Sequence, residues 1–319
     1  MERPARPVIG FGALSVDDIF YVDAPLQAGK GRVLRRTRAF GGNVATALVA
    51  VARLGGAASF VGWLNASPDD EVVAELQASG VRIDDAPRAA ECQPIRATIT
   101  VGSDGDRFIA YDDDVRLGTA PDLPDAILTA AGALLIDGYA IRSCDVVHRA
   151  RALGVPVIAD IEWTAGDATE ALLAVSDHMV LPLGFARRQT GREHPRDVLE
   201  ALWTDTRSAV ILTDGAEGAY LLEGGDRPQH LPAHPVAVVD TTGAGDCFHG
   251  AYAHALVQNR SIRDCVRFAA AAAALSVGGR GGREALPAAG NVERLLAKAD
   301  APEFRALESG ASRSNFYKS

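Results

Sequence analysis

The strongest constraint on the fold of this chain is the alternation of short apolar segments with amphipathic segments between residues 133 and 223. The apolar segments have the length and composition of buried strands, and the residues that follow them recur at helical spacing. This alternation predicts a parallel sheet covered by helices on both faces. The predicted strands are Ala133–Ile136, Val155–Asp160, His178–Leu181 and Ala209–Thr213, with Gly218–Glu223 following, and the predicted helices are Ser143–Leu153, Ala168–Val175 and Pro195–Trp203.

The first 115 residues have a different pattern. Strands are predicted at Pro7–Leu14, Asp17–Val22 and Ala58–Leu64, helices at Val44–Leu54 and Asp69–Ser79, and a hairpin at Ile95–Val101 and Arg107–Tyr111. The early hairpins do not fit the strand–helix alternation, so we expect them to form a small second layer or lid from about residues 13–40 and 95–115. Further helices are expected within 245–275 and at Val292–Ala299.

Composition limits the class of protein. The chain has 319 residues, of which 48% are hydrophobic, and a formal net charge of −9. This apolar share is enough for a buried core, and the length predicts about two units or one large α/β domain with an insertion. With the lid segments as the insertion, we expect one α/β domain over residues 1–299 and a polar tail at 300–319. The negative charge argues against nucleic acid as a partner, although backbone amides can still bind a small anion.

The location expected from the sequence is the cytoplasm. Residues 1–14 have no apolar run typical of a signal peptide, and no apolar stretch reaches the roughly 18 residues of a membrane span. No membrane partner is therefore expected. The four cysteines (Cys92, Cys144, Cys247 and Cys265) have no Cys-x-x-Cys spacing, so we expect reduced thiols rather than a zinc site.

The segment Asp240–Leu256 carries the most chemical information. It follows an apolar run at Val236–Val239, predicted to be a strand, and opens an alanine-rich helix. Gly243, Ala244 and Gly245 have little side chain, so their amides can approach an anion at the positive end of the helix dipole. Asp246 comes next, where a carboxylate can accept a proton from an attacking hydroxyl. The combination suits phosphoryl transfer, and the alternative is a glycine turn with a capping aspartate.

This segment resembles the second signature of the ribokinase, or PfkB, family of carbohydrate kinases. The segment Gly41–Gly56 is similar to the first signature, and the two lie about 200 residues apart in the family's order. The resemblance implies a three-layer α/β/α sandwich with a mostly parallel sheet and a small β-sheet lid. It also implies transfer of the γ-phosphoryl group of ATP to a sugar hydroxyl, with Mg²⁺, and a homodimer formed through the lid. Asp246 would be the catalytic base and Gly243, Ala244 and Gly245 the anion hole.

The resemblance also implies a sugar site. Asp17 lies where family members carry a sugar-binding aspartate, and Gly41, Gly42 and Asn43 match the glycine pair and asparagine that contact the substrate. From the residues alone, Asp17 could be a turn residue and Asn43 a helix cap. Lys30, in a turn of the predicted lid, is either a solvated lysine or a contact to an anion or hydroxyl of the substrate.

In its details the chain looks most similar to sulfofructose kinases and ketohexokinase-like members. The residues that carry this are Ala28–Lys30, Phe248–Gly250 and Gly281–Arg283. Sulfofructose kinases also use an asparagine and an arginine where this chain has Tyr111 and Tyr139, so the acceptor is predicted only as a ketose- or hexose-type sugar.

The nucleotide site implied by the resemblance lies in three segments. Thr213–Gly218 resembles a nucleotide-binding loop, with Thr213, Gly215 and Gly218 as contacts. Thr241 and the glycine-rich turn that holds Gly279 and Gly281 complete it. Asp240 and Thr242 would bind a monovalent cation such as K⁺. The Asn-x-x-Glu motif of many members is replaced by Pro182–Phe185, so Mg²⁺ would be held mainly by nucleotide phosphates and water.

Two other functions remain open at this stage. A nucleoside kinase of the same superfamily needs an apolar slot for a base, which Phe40, Tyr111 and Tyr139 could provide. A sugar sensor without catalytic activity is suggested by the missing Asn-x-x-Glu residues, while the intact Gly-Ala-Gly-Asp motif argues against it.

Overall fold

A computed structural model describes residues 6–67, 70–104, 106–112 and 123–307. The strands are β1 (Val8–Phe11), β2 (Ser15–Val22), β3 (Val33–Gly41), β4 (Ala58–Phe60), β5 (Leu64–Asn65), β6 (Arg88–Ala89), β7 (Ile95–Val101), β8 (Arg107–Asp112), β9 (Ala133–Asp137), β10 (Val157–Asp160), β11 (His178–Pro182), β12 (Ala209–Thr213), β13 (Ala219–Glu223), β14 (Gln229–Leu231) and β15 (Arg305–Ala306). The helices are α1 (Asn43–Arg53), α2 (Glu71–Ala78), α3 (Asp125–Ala130), α4 (Cys144–Ala152), α5 (Asp167–Ala174), α6 (Leu183–Thr190), α7 (Pro195–Leu202), α8 (Ala244–Val257), α9 (Ile262–Ser276) and α10 (Ala289–Leu296).

The central sheet has nine strands in the order β15-β14-β13-β12-β11-β10-β9-β1-β4. The strands from β4 to β12 are parallel, and β13, β14 and β15 extend the sheet antiparallel at one edge. The chain leaves β1 toward β4 on one side and later returns to β9 on the other. The crevice between β1 and β9 is therefore the topological switch point, where open α/β sheets bind ligands.

Helices cover both faces of this sheet. Alternate residues of each strand point to opposite faces, so Val8 belongs to one core and Ile9 to the other. One core is closed by α1, α2, α8, α9 and α10, and the other by α3 to α7. The predicted three-layer α/β/α architecture with a mostly parallel sheet is confirmed.

The helices that carry the two sequence signatures pack side by side. A Cβ on Gly250 of α8 would lie 2.2 Å from the carbonyl oxygen of Ala47 in α1, so glycine is required for this close approach. Both helices begin at the carboxyl edge of the sheet. Packing thus brings together two segments that are far apart in sequence.

A separate sheet of four strands, called here the small sheet, has the order β3-β2-β7-β8. The predicted strand at Asp17–Val22 and the predicted hairpin are part of it, and β3 was not predicted. The arginines of β3 (Arg35, Arg36 and Arg38) obscure the apolar alternation that marks a half-buried strand. Residues 113–115 of the predicted lid lie outside the described residues.

The prediction of a strand at Val236–Val239 is wrong. This segment has no regular structure, and Val238 and Val239 are 62% and 55% exposed. Two prolines at 232 and 235 lack the N–H that a strand needs, and the sheet edge beside β14 is taken by β15. That edge strand comes from the first part of the predicted tail, whose residues 308–319 lie outside the described part of the chain.

Helix α6 was also not predicted. It begins after Pro182 and ends at Gly191, which has a left-handed φ of 66° as expected after a helix end. Within the described residues, no helix combines the length and the apolar character needed to cross a membrane.

Candidate active site

Asp137 joins the two strands that border the switch point. It is the last residue of β9 and is 2% exposed, and its carboxylate accepts hydrogen bonds from the backbone amides of Ala13 (2.7 Å), Tyr139 (2.9 Å) and Val44. Gly12 has to be glycine here, because a Cβ would lie 2.2 Å from the carboxylate. Burial raises the pKa of Asp137 from 3.8 to about 6, against the lowering effect of these amides. One carboxylate thus holds together the exit of β1, the start of α1 and the turn after β9.

This raised pKa predicts a pH-dependent stability. A carboxyl whose pKa is higher in the folded than in the unfolded chain favours folding at low pH, and this contribution is lost as the pH rises through about 6. Relative to an Asp137→Asn variant, the free energy of unfolding of the unmodified chain should fall by about 1–2 kcal/mol from pH 5 to pH 8. Urea unfolding of both proteins across this range measures the difference. A difference that stays constant or grows with pH would contradict the prediction.

The glycine-rich turn and Asp246 lie at the start of α8. Gly243 precedes the helix with a left-handed φ of 73°, and a Cβ on it would lie 2.6 Å from the carbonyl oxygen of Gly282. Gly245 borders open space, because a Cβ there would meet no atom within 4 Å. The amide of Ala244 donates to the carbonyl of Thr241 across the turn (3.2 Å). A ligand can therefore reach the start of α8 from the side of Gly245.

Asp246 belongs to a group of carboxylates at the ends of neighbouring strands. Asp160 ends β10 and is 4% exposed, and Glu162 follows two residues later. Asn43, the first residue of α1, donates to Glu162 (3.3 Å) and also hydrogen-bonds Asp160. Burial raises the pKa of Asp246 well above its usual range, and the charge of Asp160 raises it further. A carboxyl group with a raised pKa is suited to proton transfer near neutral pH.

The predicted sugar residues Asp17, Gly41 and Gly42 meet at the base of the small sheet. A Cβ on Gly41 would lie 2.4 Å from Oγ of Ser15 and 3.1 Å from Oδ2 of Asp17, so only glycine fits beside this carboxylate. Gly42 has a φ of 91° and starts α1. Burial raises the pKa of Asp17, while a hydrogen bond from Ser15 and the charge of Arg283 lower it.

The two predicted tyrosines lie on different sheets. Tyr111 belongs to the small sheet, and Tyr139 follows a strand of the central sheet. Tyr111 in β8 pairs with Ala97, which pairs with Asp17, so Tyr111 and Asp17 lie on the same face of the small sheet. Tyr111 is 63% exposed. Tyr139 follows β9 in a short 3₁₀ helix, and its ring meets that of Trp163 edge-on at 5.3 Å between centroids.

Lys30 is not brought to Asp17 within this chain. It is exposed in the turn between β2 and β3, beyond Val22 at the far end of the small sheet. Six residues of extended chain separate Asp17 from Asp23, which is roughly 20 Å at the rise of a β-strand.

Arg283 was not predicted as a site residue, although it lies between the start of α8 and the predicted sugar residues. Its guanidinium donates to Oγ1 of Thr46 (3.1 Å) and to the carbonyl of Gly41 (2.9 Å), and it forms an ion pair with Glu75 of α2. The side chain is only 11% exposed. Its charge lowers the pKa of both Asp17 and Asp246. One cation thus connects the loop after α9, which packs against Gly243, with the sugar residues.

The predicted nucleotide residues form two loops. Thr213 ends β12, and Gly215 and Gly218 follow with φ of 51° and 98°. A Cβ on Gly218 would lie 2.1 Å from the carbonyl oxygen of Leu231, so this glycine is needed for packing against β14 whether or not a ligand binds.

The second loop holds Gly279 and Gly281. Asp240 connects it by hydrogen bonds to the segment that precedes α8. Its Oδ1 accepts from the amide (2.9 Å) and the hydroxyl (2.7 Å) of Thr242, and its Oδ2 accepts from the amide of Gly281 (3.0 Å). A Cβ on Gly279 would lie 2.5 Å from that of Ala285. In the described part of the chain, no group of three or more His, Cys, Asp or Glu residues is placed to hold a metal ion.

Four of the residues that organise the site were missed from the sequence: Asp137, Asp160, Glu162 and Arg283. A signal existed for the first two, because each ends an apolar run predicted to be a parallel strand, and such ends meet at one edge of the sheet. No local signal indicated Arg283, whose partners lie 208 to 242 residues away.

Comparison with known proteins identifies several similar chains. The model of the pfkB family of carbohydrate kinases matches residues 7–289. The ribokinase of Arabidopsis thaliana is 29% identical over 321 residues, covering 93% of this chain and 82% of its own. Fructokinase-1 of Oryza sativa subsp. japonica is 28% identical over 330 residues, covering 94% of this chain and 100% of its own. The solved structure of Arabidopsis thaliana ribokinase with ribose and ATP has a TM-score of 0.79 at 26% identity, covering 92% and 100% of the two chains.

Proposed function

Because the chain belongs to the pfkB family of carbohydrate kinases, we propose that it transfers the γ-phosphoryl group of ATP to a hydroxyl of a ketose- or hexose-type sugar. The observation that carries the proposal is the placement of Asp246. Its carboxylate lies at the start of α8, and the charge of Arg283, which donates to the carbonyl of Gly41, acts on both Asp246 and Asp17. A proton acceptor, an anion-binding helix end and a hydroxyl-binding pocket are the parts that such a transfer needs.

In the proposed mechanism, Asp246 accepts the proton of the sugar hydroxyl as it attacks the phosphorus. Its raised pKa suits this role, because a carboxylate with a higher pKa is a stronger base. The positive end of α8 and the amides of Gly243, Ala244 and Gly245 stabilise the charge on the phosphoryl group in transfer. Of these residues, Gly245 offers the open approach.

The sugar would be held by Asp17, Gly41, Gly42 and Asn43. Asp17 accepts from sugar hydroxyls, and Gly41 lets the ring approach because no side chain intervenes. Tyr111 and Tyr139 would border the sugar from the small sheet and from the central sheet. We propose that the small sheet acts as a lid that excludes water. Lys30 at its far end would reach a substrate only from a neighbouring copy of the chain, since it lies at the tip of its own sheet.

ATP would lie along the two glycine loops, against Thr213, Gly215, Gly218, Thr241, Gly279 and Gly281. The relative whose structure contains ATP supports the nucleotide. Val238 and Val239 are exposed, and the amide of Val239 donates to the carbonyl of Val277, just before the loop that holds Gly279. We propose that they offer apolar surface to the base of the nucleotide.

Two cations complete the proposal. Mg²⁺ would arrive with the nucleotide, neutralise charge on its phosphates and keep most of its water. A monovalent cation such as K⁺ would bind beside Asp240 and Thr242. The hydrogen bonds that Thr242 and Gly281 donate hold the Asp240 carboxylate in place at this position.

A screen of phosphate acceptors with ATP and Mg²⁺ tests the function. Ketoses, aldoses, sugar acids, sulfosugars and nucleosides are each supplied, and ADP release is measured by a coupled assay. Release that depends on a sugar supports the proposal and rejects a sugar sensor without catalysis. Phosphorylation of sulfosugars over other ketoses would support the closer similarity to sulfofructose kinases, which remains a prediction.

A nucleoside kinase is the second candidate. The edge-on pair of Tyr139 and Trp163 provides an aromatic wall at the cleft that could contact a base. Adenosine or inosine would then be phosphorylated in preference to fructose in the same screen.

We also propose a homodimer formed through the lid. Ile19, Ile99 and Ile109 pair across three strands, so they form an apolar row on the face of the small sheet that carries Asp17. Ile109 is 50% exposed. The same row on a second copy is its natural cover, because a two-fold interface pairs identical surfaces.

The dimer predicts the effect of one substitution. Ile109→Glu should convert the dimer to a monomer, because a carboxylate would be buried in an apolar interface. The control is Ala110→Glu, which adds the same charge on the opposite face of β8 and should leave the dimer intact. Light scattering after gel filtration measures both masses. Dimers of equal stability in the two variants would rule out this face.

A further inference from the structure

His249 lies one helical turn after Asp246, beneath it in α8. It is 2% exposed. Its Nδ1 lies 2.8 Å from the carbonyl oxygen of Gly245, and its Nε2 lies 3.0 Å from the carbonyl oxygen of Val180 in β11. Both ring nitrogens are therefore at hydrogen-bond distance from backbone oxygens.

These two partners determine the protonation of the ring. A carbonyl oxygen only accepts hydrogen bonds, and a neutral imidazole has a single N–H to donate. With one hydrogen, the other nitrogen would point a lone pair at an oxygen lone pair at about 3 Å in a buried site, where an unmade hydrogen bond is costly. Only the doubly protonated ring donates a hydrogen bond to both carbonyls.

A counter-ion lies beside the ring. Oδ2 of Asp160 is 3.4 Å from Nδ1 of His249, and both side chains are buried. Within the described chain, this oxygen has no hydrogen-bond partner. A buried carboxylate oxygen without a donor is stabilised by a nearby cation, and a buried cation by a nearby carboxylate. His249 and Asp160 each supply what the other lacks.

We propose that His249 is a positioning residue that carries a positive charge beneath Asp246 and thereby favours the ionised form of Asp246, which accepts the proton of the acceptor hydroxyl. The inference about Asp246 rests on the proposed function, whereas the charge of His249 does not. His249 itself touches no substrate in this arrangement, because its ring points into the contact between α8 and the central sheet.

The charges that face Asp246 come from three other parts of the fold. Burial, Asp160 of β10 and Glu162 all raise the pKa of Asp246, whereas His249 of its own helix and Arg283 of the loop after α9 lower it. A single opposite charge within a few ångströms lowers the pKa of a carboxyl by about 1–3 units. Without His249, the pKa of Asp246 would rise further, which disfavours the ionised form that acts as a base.

A second buried histidine of the same interface provides a matched control. His178 in β11 lies beneath α8, with Nδ1 2.8 Å from the hydroxyl of Tyr252. A hydroxyl can donate as well as accept, so this ring needs no extra proton. Burial lowers the pKa of His178 to about 4, which makes it neutral at physiological pH. Substituting His178 therefore changes packing and one hydrogen bond without changing charge.

The first experiment is ¹⁵N NMR of the full chain with labelled histidine at pH 7.5. We expect protons on both ring nitrogens of His249 and on one ring nitrogen of His178. A His249 ring with one unprotonated nitrogen would overturn the proposal. This result is independent of catalysis, so it stands even if no sugar acceptor is found.

The second experiment compares the pH dependence of kcat/KM in three variants. His249→Gln should move the acidic limb up by about 1 unit or more, with turnover recovering at high pH, because a cation beside Asp246 is lost. Asp160→Asn should move the limb down, because an anion is lost, and His178→Gln should leave it in place. A limb that stays in place in His249→Gln, or moves equally in both histidine variants, would refute the role in keeping Asp246 ionised.

A ¹³C NMR titration of the Asp246 carboxyl in the same variants separates the electrostatic effect of His249 on Asp246 from the assignment of Asp246 as the base. If the titration shifts as predicted but Asp246→Asn retains full turnover, the electrostatic coupling is correct and the assignment of Asp246 as base is wrong. If His249→Gln fails to fold, the Asp160→Asn titration and the protonation of the unmodified His249 still decide the question.

Discussion

Asp246→Asn should reduce turnover by a factor of about 10² to 10⁴ while leaving the affinity for ATP almost unchanged. This is the range expected for loss of a general base, since an amide of the same shape cannot accept the proton. The variant should also be at least as stable as the unmodified protein. Burial and Asp160 disfavour the ionised carboxyl, so removing its charge removes a cost of folding. Steady-state kinetics, calorimetric titration of ATP and thermal unfolding measure the three quantities.

Asp264→Asn is the matched control. Asp264 occupies the third position of α9, as Asp246 does in α8, and its hydrogen bonds within the described residues are made with Ser261 at the start of its own helix. Its substitution should cost a little stability through the loss of a capping contact, about 1 kcal/mol, and leave turnover intact. Near-normal turnover in Asp246→Asn, or an equal loss in both variants, would exclude Asp246 as the base.

Arg283→Met should reduce the free energy of unfolding by about 3 kcal/mol, because removing one partner of a buried ion pair leaves Glu75 uncompensated. It should also reduce kcat/KM for the sugar at least tenfold, or about 1.4 kcal/mol. The hydrogen bond to the carbonyl of Gly41 and the charge that lowers the pKa of Asp17 are both lost. Urea unfolding and sugar titrations at saturating ATP measure the two effects.

A double variant separates stability from catalysis. Arg283→Met with Glu75→Gln should recover most of the lost stability, because no buried charge is left unpaired. It should not recover kcat/KM, since Gly41 and Asp17 still lack their cation. Arg196→Met breaks the exposed pair with Glu200 and should change the free energy of unfolding by less than about 1 kcal/mol. Recovery of kcat/KM in the double variant would show that Arg283 acts only on stability.

Much of the fold could be predicted because its signals are local. From β9 to β12 the strands are apolar runs that alternate with helices, and residues such as Val157 or Ile211 carry that signal without knowledge of their partners. The failures are also physical. Val236–Val239 looks like a strand by composition, but the prolines before it and the occupied sheet edge leave it irregular. β3 was missed because exposed arginines interrupt its alternation.

The residues of the candidate site could be predicted only where they belong to a recognisable sequence motif. Gly243 and Asp246 lie three positions apart in one motif, whereas the steric need for glycine beside Gly282 became visible only in the structure. Gly218 shows that a glycine of a predicted binding motif can be required by packing alone. It was predicted from a nucleotide loop, yet its close approach to the carbonyl of Leu231 requires glycine without any ligand. A motif glycine can therefore satisfy packing and binding at once, and the sequence does not separate the two.

By itself, the sequence determined the family, the layered α/β architecture and the helix start that carries Asp246, because each depends on residues that are close together in the chain. Only the tertiary structure decided how the charges of the site are arranged. Asp137, Asp160, His249 and Arg283 act through partners on other elements, up to 242 residues away. Coulomb interactions and desolvation depend on distance in space and on burial, and neither can be read from spacing along a chain. The pKa of the proposed base is consequently a property of the folded molecule.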